Sequence, residues 1–217
     1  MKTAAIIALV AAGSVASAQN LLSNSSFESA LNYDGAPAPV DVGNWFAFFG
    51  GADFQQAEIV DPTGGLAPQA APDGASVLQI ITAGTANTFV GVVQNVAATA
   101  GLEYTFSFLA RNIDPQGANT EFRIEWERAD GSIIGDQFAL NTNITDSLTT
   151  DFQEFSLSAI APTDATALNV VIAAQTFGTP GTTAAFQYDS ASLTAIPTPA
   201  GAAVLGFAGL AAARRRR

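Results

Sequence analysis

The sequence predicts an all-β domain, an antiparallel β-sandwich of the jelly-roll kind, and three observations carry that prediction. Apolar side chains recur at every second position through most of residues 19–196, which is the period of a pleated strand with one face on a core. Turn signals separate the runs: Asp73-Gly74, Ala100-Gly101, Asp114-Pro115, Asp130-Gly131, Pro162-Thr163-Asp164 and Thr179-Pro180-Gly181. No stretch of this body sustains a helical pattern, and about ten short strands in one domain make a sandwich.

The chain opens with Lys2, the apolar run 4–12 and Ala16-Ser17-Ala18. That order fits a secretory signal peptide cut at a small-x-small site by signal peptidase, so residues 1–18 read as a removable leader with Gln19 as the mature start. The body, 19–196, begins with Asn20–Glu28 and an aromatic segment, Asn44-Trp45-Phe46-Ala47-Phe48-Phe49. Strict alternation follows. Val90, Val92, Gln94 and Val96 share one face; so do Tyr104, Phe106, Phe108 and Ala110, and then Phe122, Ile124 and Trp126. Phe155 with Leu157, and Leu168 with Val170 and Ile172, repeat the pattern. Asp130-Gly131 between two such runs marks a hairpin.

The final segment, 197–217, has three parts in order: Pro197-Thr198-Pro199, an uncharged apolar stretch 200–213, and Arg214-Arg215-Arg216-Arg217. The fourteen apolar residues make a helix of about 21 Å against a hydrocarbon core of roughly 30 Å, so a permanent span is marginal and a transient one suffices. The arginines orient it with their end in the cytoplasm and the body outside.

Charge and absent residue types narrow the function. Within 19–196, nineteen acids face only Arg111, Arg123 and Arg128, leaving a formal charge of −16. Such a body repels nucleic acid and attracts divalent cations. There is no cysteine, no histidine and no lysine beyond Lys2. Cys–His and Ser–His–Asp machinery, a Ser–Lys dyad in the body and the usual zinc sites are therefore excluded. Carboxylates remain as acid–base groups. Glu125 and Glu127 share a strand face about 7 Å apart, within the inverting-glycosidase range, but nothing singles them out from other exposed strand charges. A repeated Thr-rich ice-binding coil is absent, and Asn24-Ser25-Ser26 and Asn143-Ile144-Thr145 fit a glycosylation sequon.

Two resemblances follow from these residues. The tail resembles the PEP-CTERM sorting signal, with Thr198 where the family has Glu. That implies recognition by an exosortase-type membrane enzyme, processing near Pro197–Pro199 and delivery to the cell surface or extracellular matrix. The body, from Asn20–Glu28 through Val93–Arg111 to Phe186–Leu193, resembles the galactose-binding-like jelly roll of carbohydrate-binding modules. That likeness implies a non-catalytic domain, exopolysaccharide as a possible partner, and a structural calcium. The ligand positions fall on Glu28, on Asp189 in the last strand and on carbonyls near Asp73, with Ser190 where a second acid is common. Aromatic faces suited to stacking on a sugar ring are Tyr33, Trp45, Phe48 and Phe49, with core packing the alternative for Trp45. Trp126 reads as core. Arg111 and Arg123 with Glu125 are candidates to line a polar sheet face. A matrix protein without a defined ligand is the other reading, and a carboxylate glycosidase a third.

Overall fold

The computed structural model describes residues 19–32, 44–51, 55–65, 67–84, 88–115, 118–176 and 182–197. The expected leader 1–18, Tyr33, the side chain of Pro197 and residues 198–217 of the expected sorting tail lie outside them. Alternation builds the strands where it was predicted. They are β1 (Phe46–Gly50), β2 (Gln55–Val60), β3 (Val77–Gly84), β4 (Thr88–Ala97), β5 (Leu102–Pro115), β6 (Ala118–Glu127), β7 (Asn141–Asn143), β8 (Gln153–Ile160), β9 (Ala167–Thr176) and β10 (Thr182–Pro197).

They form two five-stranded sheets, ordered β1-β4-β9-β6-β7 and β2-β3-β10-β5-β8, with every paired strand antiparallel. We call these the first and second sheet. Consecutive strands repeatedly fall in different sheets, so the architecture is a jelly roll. The segment 19–32, expected to open the sandwich, makes no strand of its own beyond the Asn32–Phe46 bridge. It instead clips onto the irregular middle of β10: Leu21 N–H donates to Leu193 O at 2.8 Å and Ala191 N–H to Ser25 O at 2.8 Å.

The core lies between the sheets. Phe106, Phe108, Phe122 and Tyr188 fill its centre, with Phe108 edge-on to Phe122 at 4.8 Å between ring centroids. Contacts of this kind add about 0.5–1.5 kcal/mol each to the burial of the rings. Trp126 is buried edge-on to Tyr104, as its parity predicts. The Thr120 and Tyr188 hydroxyls share a hydrogen bond inside the core, and burial pushes the Tyr188 phenol above its ordinary range. Gly131, at φ 80°, turns the chain after β6 so that Glu127 bridges Ile133. Asp130-Gly131 is thus a hairpin turn, although the strand that pairs with β6 begins only at Asn141.

Candidate functional site

In β1, β4, β9 and β6 of the first sheet, residues of one parity face the core and those of the other form the outer face. On β9, Val171 and Ala173 point outward yet are only 2% and 4% exposed. They form the covered middle of this face, between β4 and β6. Register places Phe48, Gly91, Ala173 and Glu121 in one row across β1, β4, β9 and β6, and Phe46, Val93, Val171 and Arg123 in the next. Three strand spacings, about 14 Å, separate the aromatic bank from the charged one.

The aromatic bank is shaped by glycine. A Cβ at Gly91 would stand 2.5 Å from the Phe48 ring, and one at Gly50 would stand 2.1 Å from the Phe89 ring. Each phenylalanine therefore lies down on the glycine directly opposite it in the neighbouring strand, the arrangement by which aromatic rings cover sheet glycines. Their centroids are 6.2 Å apart, and Phe89 is 42% exposed. The two rings are tilted 48° to each other and together form an aromatic bank at this side of the face.

The facing bank is a fixed polar network. Arg123 donates from Nε to Glu125 Oε1 at 2.6 Å and from Nη1 to Glu121 Oε1 at 2.8 Å. Amides hold the remaining oxygens: Asn141 and Gln175 donate to Glu121 Oε2, and Asn169 and Asn95 donate to Glu127. Phe138, half exposed, lies 5.0 Å from the Arg123 guanidinium. Carboxylates and amides whose rotamers are locked by one another are preorganised to meet hydroxyls.

Several expectations change here. Trp45 is fully buried, packed on Phe27 with its indole N–H donating to Asn24 O at 3.2 Å, so it offers no face to a ligand. Phe49 is exposed, but its parity is opposite to that of Phe48 and it does not join the aromatic bank. Arg111 and Arg123 do not line one face, because Arg111 belongs to β5 in the second sheet. Phe89 and Glu121 were not singled out from sequence. Their signal was the pair of glycines, Gly50 and Gly91, opposite aromatic residues, which is visible only once the register is known.

Glu28, Asp73 and Asp189 do come together where 19–32 meets β10. Asp189 is fully buried and accepts hydrogen bonds from the backbone N–H of Asp73 at 2.8 Å and of Ser190 at 2.6 Å. Burial, opposed by those bonds and reinforced by the charges of Asp73 and Glu28, raises its carboxyl to about 6. Glu28 Oε1 accepts from Ala75 and Ser76 N–H, in a turn that Gly74 permits: at φ 75° a Cβ there would stand 2.3 Å from that oxygen. Phe27 and Ser190, beside the two acids, both hold left-handed backbones, a conformation costing of order 1 kcal/mol or more. The donors are all oxygen and the charge is in excess, which fits a hard cation. Among the described residues no three acidic side chains are spaced to cage an ion by themselves, so backbone oxygens would have to contribute.

The fold is a two-sheet antiparallel β-sandwich, and solved structures that share it include carbohydrate-binding domains. The chain is similar in structure to the enzymatically active domain of tailspike protein 4 of Bacteriophage CBA120, with a TM-score of 0.58, 16% identity and 82% of this chain covered. It corresponds to 21% of that tailspike chain. It is also similar to a candidate sugar-binding protein of Bacteroides thetaiotaomicron, with a TM-score of 0.54, 14% identity and coverage of 81% and 99% of the two chains. A third is the CBM22-1 xylan-binding domain of Paenibacillus barcinonensis Xyn10C, with a TM-score of 0.50, 14% identity and coverage of 83% and 97%. At such identities the likeness is one of fold. No protein-family profile and no curated protein sequence matches the chain.

Proposed function

We propose that this chain is a non-catalytic polysaccharide-binding β-sandwich and that the outer face of the first sheet is its binding groove. One observation carries the reading: Phe48 and Phe89, resting against Gly91 and Gly50 with their rings tilted 48° to each other, face the Glu121–Arg123–Glu125 network across a floor of small residues. Rings stack on the apolar faces of sugars, while fixed carboxylates and amides take the hydroxyls. The order of strands and the xylan named for the Paenibacillus domain support polysaccharide as the ligand class. The groove acids are tied to Arg123 or to amides, an arrangement suited to holding hydroxyls rather than to cycling protons.

Export belongs to the same reading. The leader 1–18 and the Pro197–Arg217 tail support passage through the inner membrane, exosortase sorting and residence at the cell surface or in the extracellular matrix. A calcium ion at the Glu28, Asp73 and Asp189 corner would neutralise buried charge and tie the beginning of the body to β10.

A glycan array, followed by product analysis of any hit, tests the binding reading. Retention of a neutral polysaccharide without cleavage is expected. Turnover would favour the glycosidase, and an empty array the ligand-free matrix protein. Intact-mass measurement of surface material tests the sorting, which predicts loss of 1–18 and of the four arginines.

A further inference from the structure

The outer face of the second sheet carries a second polar construction that the groove does not use. Register aligns Glu58, Gln79, Gln187 and Arg111 in one row across β2, β3, β10 and β5. They form a directed relay. Arg111 donates from Nε and Nη2 to Gln187 Oε1 at 2.9 and 2.6 Å, Gln187 Nε2 donates to Gln79 Oε1 at 2.9 Å, and Gln79 Nε2 donates to Glu58 Oε1 at 3.2 Å. A guanidinium has only donors and an ionised carboxylate only acceptors, so the two ends dictate which way both amides face. One N–H of each glutamine is left unspent by the relay.

The segment following β2 crosses over this row. Arg111, 2% exposed, holds it by donating from Nη1 to Gln69 Oε1 at 2.7 Å and from Nη2 to Ala67 O at 2.8 Å, with the guanidinium 4.9 Å from the Phe152 ring. The segment does not close onto the sheet. A cavity of about 140 Å³ remains, with Ile81, Ile113 and Ala185 as an apolar surface, Gln79 and Gln187 as amides, and Gly64 and Gly65 on the side of the crossing segment.

We propose that this cavity is a second binding site, built for a single neutral sugar unit. Its volume is well below the roughly 300–1,000 Å³ of pockets that enclose a drug-sized molecule, which limits it to one ring. Its lining carries no formal charge, because the relay delivers neutral amides to the cavity while its charged ends lie outside it, so neither an anion nor a cation is selected. An apolar patch beside two oriented amides matches a ring with one CH face and a hydroxyl edge. The site belongs to the opposite sheet from the groove and stands on its own residues. With both occupied, one molecule joins two glycan chains.

The test is a titration of the isotope-labelled full chain with methyl glycosides of glucose, galactose and xylose, read at the side-chain amide signals of Gln79 and Gln187. Saturable shifts at both are expected with at least one of these sugars, and they persist in Phe89→Ala, which lies in the groove. Ala185→Leu fills the cavity while leaving every relay residue in place and is expected to abolish the shifts. Gln79→Met, at a half-buried position, is the second variant and weakens binding at least tenfold. If no sugar moves these signals, or if both variants bind as the native chain does, the row is only a clamp for the crossing segment and the second site is refuted.

Discussion

Phe48 lies across Gly91, the residue directly opposite it in β4, so closely that any side chain at 91 would displace the ring. Gly50 stands in the same relation to Phe89, but with one difference. A Cβ at 91 also meets the backbone carbonyl of Ile172 at 2.5 Å, whereas a Cβ at 50 meets only the far end of the Phe89 ring. Gly91→Ala is therefore expected to destabilise the fold by about 1–3 kcal/mol, the usual cost of overpacking. Gly50→Ala lifts Phe89 off the sheet with little loss of stability and weakens polysaccharide binding. Thermal melts paired with binding isotherms check this, and equal losses of stability in the two variants would count against it.

A single Arg123 guanidinium bridges Glu121 and Glu125, leaving one negative charge in excess, and all three residues are less than one-tenth exposed. Removing one partner of a buried pair leaves uncompensated charge, which costs about 3–5 kcal/mol. Arg123→Met is expected to lose about that much at pH 7, read from chemical denaturation. A loss below about 1 kcal/mol, the range of an exposed ion pair, would contradict a buried network.

Asp189 makes the fold sensitive to pH. Its carboxyl is raised in the folded chain from 3.8 to about 6, so the folded state holds the proton more tightly than the unfolded one. In chelator, stability is therefore expected to fall as pH rises from about 4 to about 6 and then to level off. Calcium bound to the ionised group reverses that trend and raises the melting temperature at pH 7. Asp189→Asn flattens the profile and removes the calcium response. Superimposable melts with calcium and with chelator would exclude an ion at this corner.

Thr82 and Thr88 are fully buried on the inner faces of β3 and β4, and among the described residues neither hydroxyl oxygen has a hydrogen-bond partner. A buried polar group without a partner costs about 1–3 kcal/mol, and valine has nearly the same shape. Thr82→Val and Thr88→Val are each expected to stabilise the fold by about 1 kcal/mol, read from chemical denaturation. Destabilisation by either would show that its hydroxyl is satisfied in solution.

The sandwich was legible because β4, β5, β6, β8 and β9 each place a core on one side only, and that requirement writes a period of two into the sequence. Edge positions hide the rest. β7, Asn141–Asn143, has no buried residue, and Gln55–Val60 is mostly half-buried, so neither alternates. Glu28 and Asp189 came only from the resemblance to carbohydrate-binding modules, and it is the packing of 19–32 on β10 that brings them together. Of the proposed groove, Phe48 stood out in an aromatic segment, but so did Trp45, and burial cannot be read from residue type. Phe89 and Glu121 join Phe48 only through the pairing of β1 with β4 and of β9 with β6. Those contacts span tens of residues, and no local pattern encodes them.

Titration calorimetry of the native chain and of Phe89→Ala against neutral polysaccharides, namely xylan, galactan and glucan, bears most directly on the groove. Phe89 is 42% exposed, so its removal spares the core. Saturable binding of at least one polymer is expected, weakened tenfold or more in the variant, about 1.4 kcal/mol, with an unchanged melting temperature. Binding that is identical in the two proteins, or absent for every polymer, would contradict a glycan groove on the first sheet.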